Sequence, residues 1–178
     1  MSNQTFSLQP FPSAEPIPNL KITGNIARQA NQFTIHYALL GDLKEVVIPT
    51  PSDTPARKHE LWKDTCFEFF LGVKNSDRYW EFNLSPAGDW NVYRFEAYRQ
   101  GMQEETAFTT LPFHVEYLSD SFTLGLDVNL DKIIAANQAL EIAITTVIKY
   151  RNEVSYWALT HRGTEADFHR RDSFIIAS

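Results

Sequence analysis

Cysteine is all but missing. Cys66 is the single one among 178 residues, so no internal disulfide can form. Long apolar runs are missing too, and no stretch approaches the roughly 20 residues that a membrane-spanning helix needs. The opening segment MSNQTFSLQP has neither a basic start nor an apolar centre, which speaks against a secretion signal. Positive charge is in short supply: 16 Lys and Arg face 22 Asp and Glu, a formal net charge of -6. A general nucleic-acid binder needs a basic surface to displace counterions from phosphates, and an acidic membrane would repel this chain. Internal repeats, low-complexity tracts, linkers, phosphate loops, dinucleotide fingerprints and a Ser-His-Asp order are absent as well. These absences set the expectation of a soluble cytoplasmic protein whose partner is a small molecule, with no nucleic acid and no membrane.

Aromatic residues are plentiful, at 13% of the chain, with 13 Phe, 7 Tyr and 4 Trp. They suit pleated sheets and binding surfaces alike. The length fits one domain, residues 1–178, large enough to bury a real core. Four of the nine prolines fall in the first twenty residues, which predicts an extended arm or an edge strand there. Two segments then alternate with period two: Phe33, Ile35, Tyr37 and Leu39, and further on Phe122, Leu124, Leu126 and Val128. LKITGNIARQA, VVIP, CFEFFLGV, YWEFNLSP, WNVYRFEAY, FHVEYL, LEIAITTVIKY and VSYWALTH read as further strands. NLDKIIAANQA lacks the alternation and reads as a short helix begun by an Asn or Asp cap. PTPSDTPARKHE reads as a loop that could rim a site. The expectation is an all-β, antiparallel β-sandwich of the jelly-roll or immunoglobulin-like kind, with about ten strands and at most one short helix.

Side chains on a strand alternate faces. In CFEFFLGV one face holds Cys66, Glu68 and Phe70; in YWEFNLSP one holds Tyr79, Glu81, Asn83 and Ser85. In WNVYRFEAY one set is Trp90, Val92, Arg94, Glu96 and Tyr98. Aligning these three sets predicts a polar face of Glu68, Glu81, Asn83, Arg94 and Glu96, edged by Trp90, Tyr79 and Tyr98, with Trp62 at its rim. One reading makes this a solvated sheet face with cross-strand charge pairs. The other makes it a concave saccharide site, where rings stack on C–H patches and carboxylates, Asn and Arg bond hydroxyls.

Two stretches resemble a known family. LWKDTCFEFFLG followed by YWEFNLSPAGDWNVYRFEAYRQGM, and the tail SYWALTHRGTEADFHRRDSF, resemble the bacterial DOMON-like domain proteins. These are related to the DOMON domains of haem and sugar binders and, more distantly, to family 9 carbohydrate-binding modules. The resemblance is strongest over residues 61–102 and 154–174. It implies a β-sandwich with a ligand site between a sheet face and its loops. Sugar-binding relatives clamp a ring between aromatics, which here implies Trp62, Trp90 and Trp157, and the tail motif adds His161. Haem-binding relatives use Met and His as axial ligands, which implies Met102 with His161 or His169.

Other chemistries have weaker support. Glu68 and Glu81 could serve a glycosidase, which needs two carboxyls about 5–10 Å apart in unlike environments. HRGTEADFHRRD matches no zinc or calcium spacing, so its His and Asp are expected to pair with Arg162, Arg170 and Arg171 and hold the tail on the sandwich. Cys66 reads as a small core filler. The leading expectation is non-catalytic binding of a small polar ligand, a saccharide. The alternatives are a haem redox module, a protein-interaction sandwich and a minor hydrolase.

Overall fold

The period-two alternation becomes two antiparallel sheets in the computed structural model, which describes residues 2–178. In chain order the first strands are β1 (Ser2–Ser7), β2 (Gln9–Pro10), β3 (Leu20–Gln29) and β4 (Gln32–Gly41). The middle of the chain supplies β5 (Cys66–Val73), β6 (Tyr79–Leu84), β7 (Trp90–Phe95), β8 (Gln103–Glu104) and β9 (His114–Tyr117). The last are β10 (Ser121–Asn129), β11 (Leu140–Tyr150), β12 (Glu153–Ala158) and β13 (Ile176–Ala177). The smaller sheet has the order β1-β3-β4-β10-β9 and the larger the order β2-β12-β11-β5-β6-β7-β8, with β13 beside the start of β11.

The smaller sheet obeys the simple rule of one buried and one wet face. Phe33, Ile35, Tyr37 and Leu39 on β4, and Phe122, Leu124, Leu126 and Val128 on β10, all point into the core. Gly24 lies opposite Phe6 on β1, and a Cβ there would sit 2.5 Å from the Phe6 ring, so the glycine makes room for that side chain. From the larger sheet the core receives Phe67, Phe69, Leu71, Trp80, Phe82, Leu84, Ile142 and Ile144. The proline-rich arm supplies the edge strands β1 and β2, and Pro10 pairs at the rim with Trp157, where its missing N–H costs no ladder bond.

Two local expectations change. Residues 130–139 form turns instead of a helix. The Leu130 carbonyl accepts the N–H groups of both Ile133 and Ile134, and the Asn129 side chain accepts the Asp131 N–H at 2.8 Å. Leu130 and Ile134 plug the core end, which halts the segment after one turn. VVIP contributes only an isolated bridge between Val46 and Tyr150.

The larger sheet breaks the one-wet-face rule. Every residue of β6, and all of β5 but Val73, is buried. The segment from Leu159 to Ile175, here called the strap, crosses the outer face of this sheet. Phe174 packs with Phe70, Tyr79, Tyr93, Phe95 and Ala143, and Phe168 and Trp62 border that second apolar cluster. Arg171 fastens the strap: its guanidinium bonds the Ser76 carbonyl at 2.7 Å and the Glu141 carboxylate at 2.6 Å. It lies directly over Gly72, where a Cβ would come within 2.6 Å of it. No helix among the described residues is long and apolar enough to cross a membrane.

Candidate functional site

Strand register decides which side chains share the outer face of the larger sheet. Glu68 lies opposite Asn83 on β6 and Thr145 on β11, while Glu81 lies opposite Phe70 on β5 and Tyr93 on β7. Cys66, Glu68, Phe70, Tyr79, Glu81 and Asn83 therefore face outward together. On β7 the outward set is Asn91, Tyr93 and Phe95. Trp90, Val92 and Arg94 point the other way, because Arg94 lies opposite Trp80 and Trp90 opposite Leu84, both core residues.

The expected alignment of Arg94 and Trp90 with the two glutamates is thus corrected. The sequence reading phased β7 by its polar residues, but this strand puts Tyr93 and Phe95 beneath the strap and Arg94 at the sheet edge. Arg94 there binds Gln103 at 3.0 Å and Glu96 at 3.2 Å, and Glu96 also pairs with Arg78 at 2.8 Å. Trp90 belongs to the main core, with the Arg57 guanidinium 4.3 Å above its ring. Trp157 is a core residue as well, its indole N–H donating to Ser155 Oγ at 2.9 Å. His161 sits at the far edge, with Nε2 2.8 Å from the Gln9 carbonyl and its ring edge-on to Phe11. Neither Trp157 nor His161 reaches the glutamates' hollow.

The structure does bring Trp62, Glu68 and Glu81 together around a hollow of about 600 Å³. Its floor is Glu68, Phe70, Glu81 and Val147. One wall is Phe95, Arg99 and Met102 from the end of β7 and the turn after it; Tyr156 stands on β12; Glu165, Ala166, Phe168 and His169 come from the strap. Trp62, on a single 3-10 turn before β5, stands at one end against Tyr93, ring centroids 6.0 Å apart. The loop ahead of that turn meets the face at its edge, where His59 lies 3.0 Å from the Tyr93 hydroxyl and Arg57 and the Lys58 carbonyl bond the Asn91 side chain. All the lining residues but Val147 fall within residues 61–102 and 154–174. A smaller polar hollow of about 330 Å³ adjoins the first and shares Arg99, Glu165 and Ala166 with it.

The polar groups of the floor are short of partners. Glu68 is 2% exposed; Thr145 Oγ1 donates to its Oε2 at 3.4 Å and its Oε1 bonds nothing. Asn83 is fully buried beside it, and neither end of its amide finds a partner of good geometry. Glu81 lies near His169, whose Nε2 is 3.8 Å from its Oε2. Burial pushes Glu68 well above the usual carboxyl range, and the neighbouring Glu81 charge pushes it further. Burial also lifts Glu81 to about 7, against smaller pulls from Asn83 and Arg99.

His169 is held by its surroundings. The Tyr79 hydroxyl lies 2.9 Å from its Nδ1 and accepts the Arg99 N–H at 3.2 Å. With that oxygen already accepting, we assign the phenol proton to Nδ1, which leaves the imidazole proton on Nε2, facing Glu81. Burial first, then Arg99, lowers the His169 pKa to about 4, so the ring is neutral near pH 7. The Arg99 charge is committed to Asp167 at 2.8 Å, and Asp167 also accepts the backbone N–H of His169 at 3.1 Å.

No family model and no curated protein sequence matches the chain. Among solved structures it is similar to a protein from Bacteroides uniformis provisionally described as carbohydrate-binding. That match has a TM-score of 0.71 at 14% identity and covers 97% of this chain and 84% of the other. It is also similar to a family 9 carbohydrate-binding module from Caldicellulosiruptor kristjanssonii solved with glucose, at a TM-score of 0.47 and 10% identity, over 81% of this chain and 69% of that one. The first likeness shows a shared fold; the second is too low to carry weight. The β-sandwich expected from the sequence is the fold observed.

Several chemistries can be set against this geometry. Met102 and His169 both line the hollow, as a haem pair would have to. The remaining donors do not fit haem: the His169 Nε2 proton faces Glu81, and two buried carboxyls would lie beneath the porphyrin. A glycosidase divides labour between one raised and one ordinary carboxyl, whereas here both are raised. Among the described residues no three His, Cys, Asp or Glu side chains group as a metal site would. Sequence reasoning missed Phe70, Phe95, Arg99, Tyr156 and Phe168 as site residues. Their shared signal was position inside the two family-like stretches.

Proposed function

We propose that the protein binds a small saccharide in the hollow on the outer face of its larger sheet. The observation that carries this reading is Glu68 Oε1, a buried carboxyl oxygen without a partner, on the lining of an aromatic-walled hollow, with the equally unpartnered Asn83 amide beside it in the sheet. Buried polar groups in folded proteins are nearly always hydrogen-bonded, and one left bare costs about 1–3 kcal/mol. A ligand rich in hydroxyls repairs that deficit, because a hydroxyl both donates and accepts. Trp62, Phe95, Tyr156 and Phe168 supply the apolar rings against which the C–H faces of a sugar pack. The volume suits a monosaccharide or disaccharide, being within the 300–1,000 Å³ common for small-ligand sites.

The DOMON-like resemblance supports the same reading, as does the description of the Bacteroides uniformis protein as carbohydrate-binding. The role proposed is binding without turnover. Equilibrium titration with a panel of monosaccharides and disaccharides tests the proposal. Saturable binding of at least one sugar is expected, weakened about tenfold or more by Trp62→Ala, a loss of about 1.4 kcal/mol. Absence of binding across the panel by folded protein would refute it.

A further inference from the structure

The charge inside the hollow is lopsided. Three carboxyls, Glu68, Glu81 and Glu165, line it against one guanidinium, Arg99. Asp167 already neutralises Arg99, and His169 is neutral near pH 7. The deepest acidic pair therefore has no cation of its own. Glu68 is 2% exposed and Glu81 5%, and Glu68 Oε1 is bare. A buried acid usually has a cationic neighbour or a metal ion; the one guanidinium near this pair, Arg99, is bonded to Asp167, and the surroundings do not form a metal site.

We infer that the saccharide bound here carries a free amino group, whose ammonium sits between Glu68 and Glu81. The inference rests on the saccharide reading and sharpens it to a class, the unacetylated amino sugars. The two side chains are diagonal neighbours across β5 and β6, close enough for one ammonium to serve both. An ammonium has three donors and no acceptor, which suits a lining whose free atoms include the carboxyl oxygen Glu68 Oε1. The aromatic walls favour a cation further through their ring quadrupoles. Burial is what raises both glutamates, and a bound ammonium would favour their charged forms.

Calorimetric titration near pH 7 with glucosamine, N-acetylglucosamine, glucose and 2-aminoethanol tests this. Glucosamine should bind about tenfold or more tighter than glucose and N-acetylglucosamine. Glu81→Gln and Glu68→Gln, each confirmed folded by its melting transition, should shrink that preference to about threefold or less. Glucose binding as tightly as glucosamine would overturn the amine inference and leave the saccharide reading standing. Aminoethanol binding as tightly as glucosamine, with no binding of glucose, would overturn the saccharide reading and this inference with it. No binding of any of the four would remove both.

Discussion

Glu81 shows most plainly what the site costs the fold. Its folded pKa of about 7 lies above the ordinary 4.5 because burial penalises its charge. Below pH 4.5 the carboxyl is protonated in both states and contributes no pH dependence. As pH rises from there to 7, the unfolded chain sheds its proton while the folded one holds on, and stability falls by on the order of 3 kcal/mol. Glu81→Gln should therefore melt higher than the parent at pH 8 and at nearly the same temperature at pH 4.5. Thermal unfolding at the two pH values checks this; an equal or lower melting point at pH 8 would mean that the carboxyl is not strained. That a residue makes its own domain less stable is the mark of a site kept for a ligand. Glu68 and Glu81 were legible as candidates in the sequence because strand alternation fixes their faces within β5 and β6, and Trp62 because it shortly precedes β5. Trp90 and Trp157 were misplaced because a tryptophan in a strand has the same letter whether it stacks on a sugar or fills a core, and His161 because the tail motif does not show that it turns to Gln9 at the far edge.

At the scale of elements, β7 and the strap hold the lesson. Polar residues phase a strand only when one face is wet, and β7 has its outer face covered by residues far along the chain. Its true phase could not be read from WNVYRF alone; register against Trp80 and Glu81 decides it. A direct consequence follows for Arg94. Arg94→Ala should leave saccharide affinity unchanged to within about twofold, since its guanidinium lies on the opposite side of the sheet. A large loss on titration would return Arg94 to the site. The strap itself was expected as a tail pinned by its arginines, and Arg171 does pin it, through Glu141 and the carbonyls of Val73 and Ser76. The sequence could not show that the pinned tail walls the hollow. Arg171→Ala should cost on the order of 2–3 kcal/mol in stability, with those carbonyls and Glu141 left short of a donor. It should also speed proteolytic cleavage between residues 159 and 175 and weaken binding. Unchanged cleavage there would mean that the aromatic cluster alone holds the strap.

Across the whole molecule, the sandwich was the most legible feature, since β4 and β10 alternate cleanly over eight residues or more. The helix expected near residue 130 failed because a core-plugging Leu130 and Ile134 impose turns that local propensity does not foresee. The two sheets differ in purpose: one seals the core on its inner face and meets water on the other, while the larger seals the core and also carries a second, incomplete interior under the strap. The hollow is the incomplete part. Of the four tryptophans, only Trp62 borders it, while Trp80, Trp90 and Trp157 are locked in the main core. Indole N–H resonances followed by NMR during a sugar titration therefore test the central claim most directly. The account predicts that the Trp62 resonance shifts saturably while the other three stay nearly still. A sugar that binds while moving Trp80, Trp90 or Trp157 and leaving Trp62 in place, or a full panel that moves none, would contradict it.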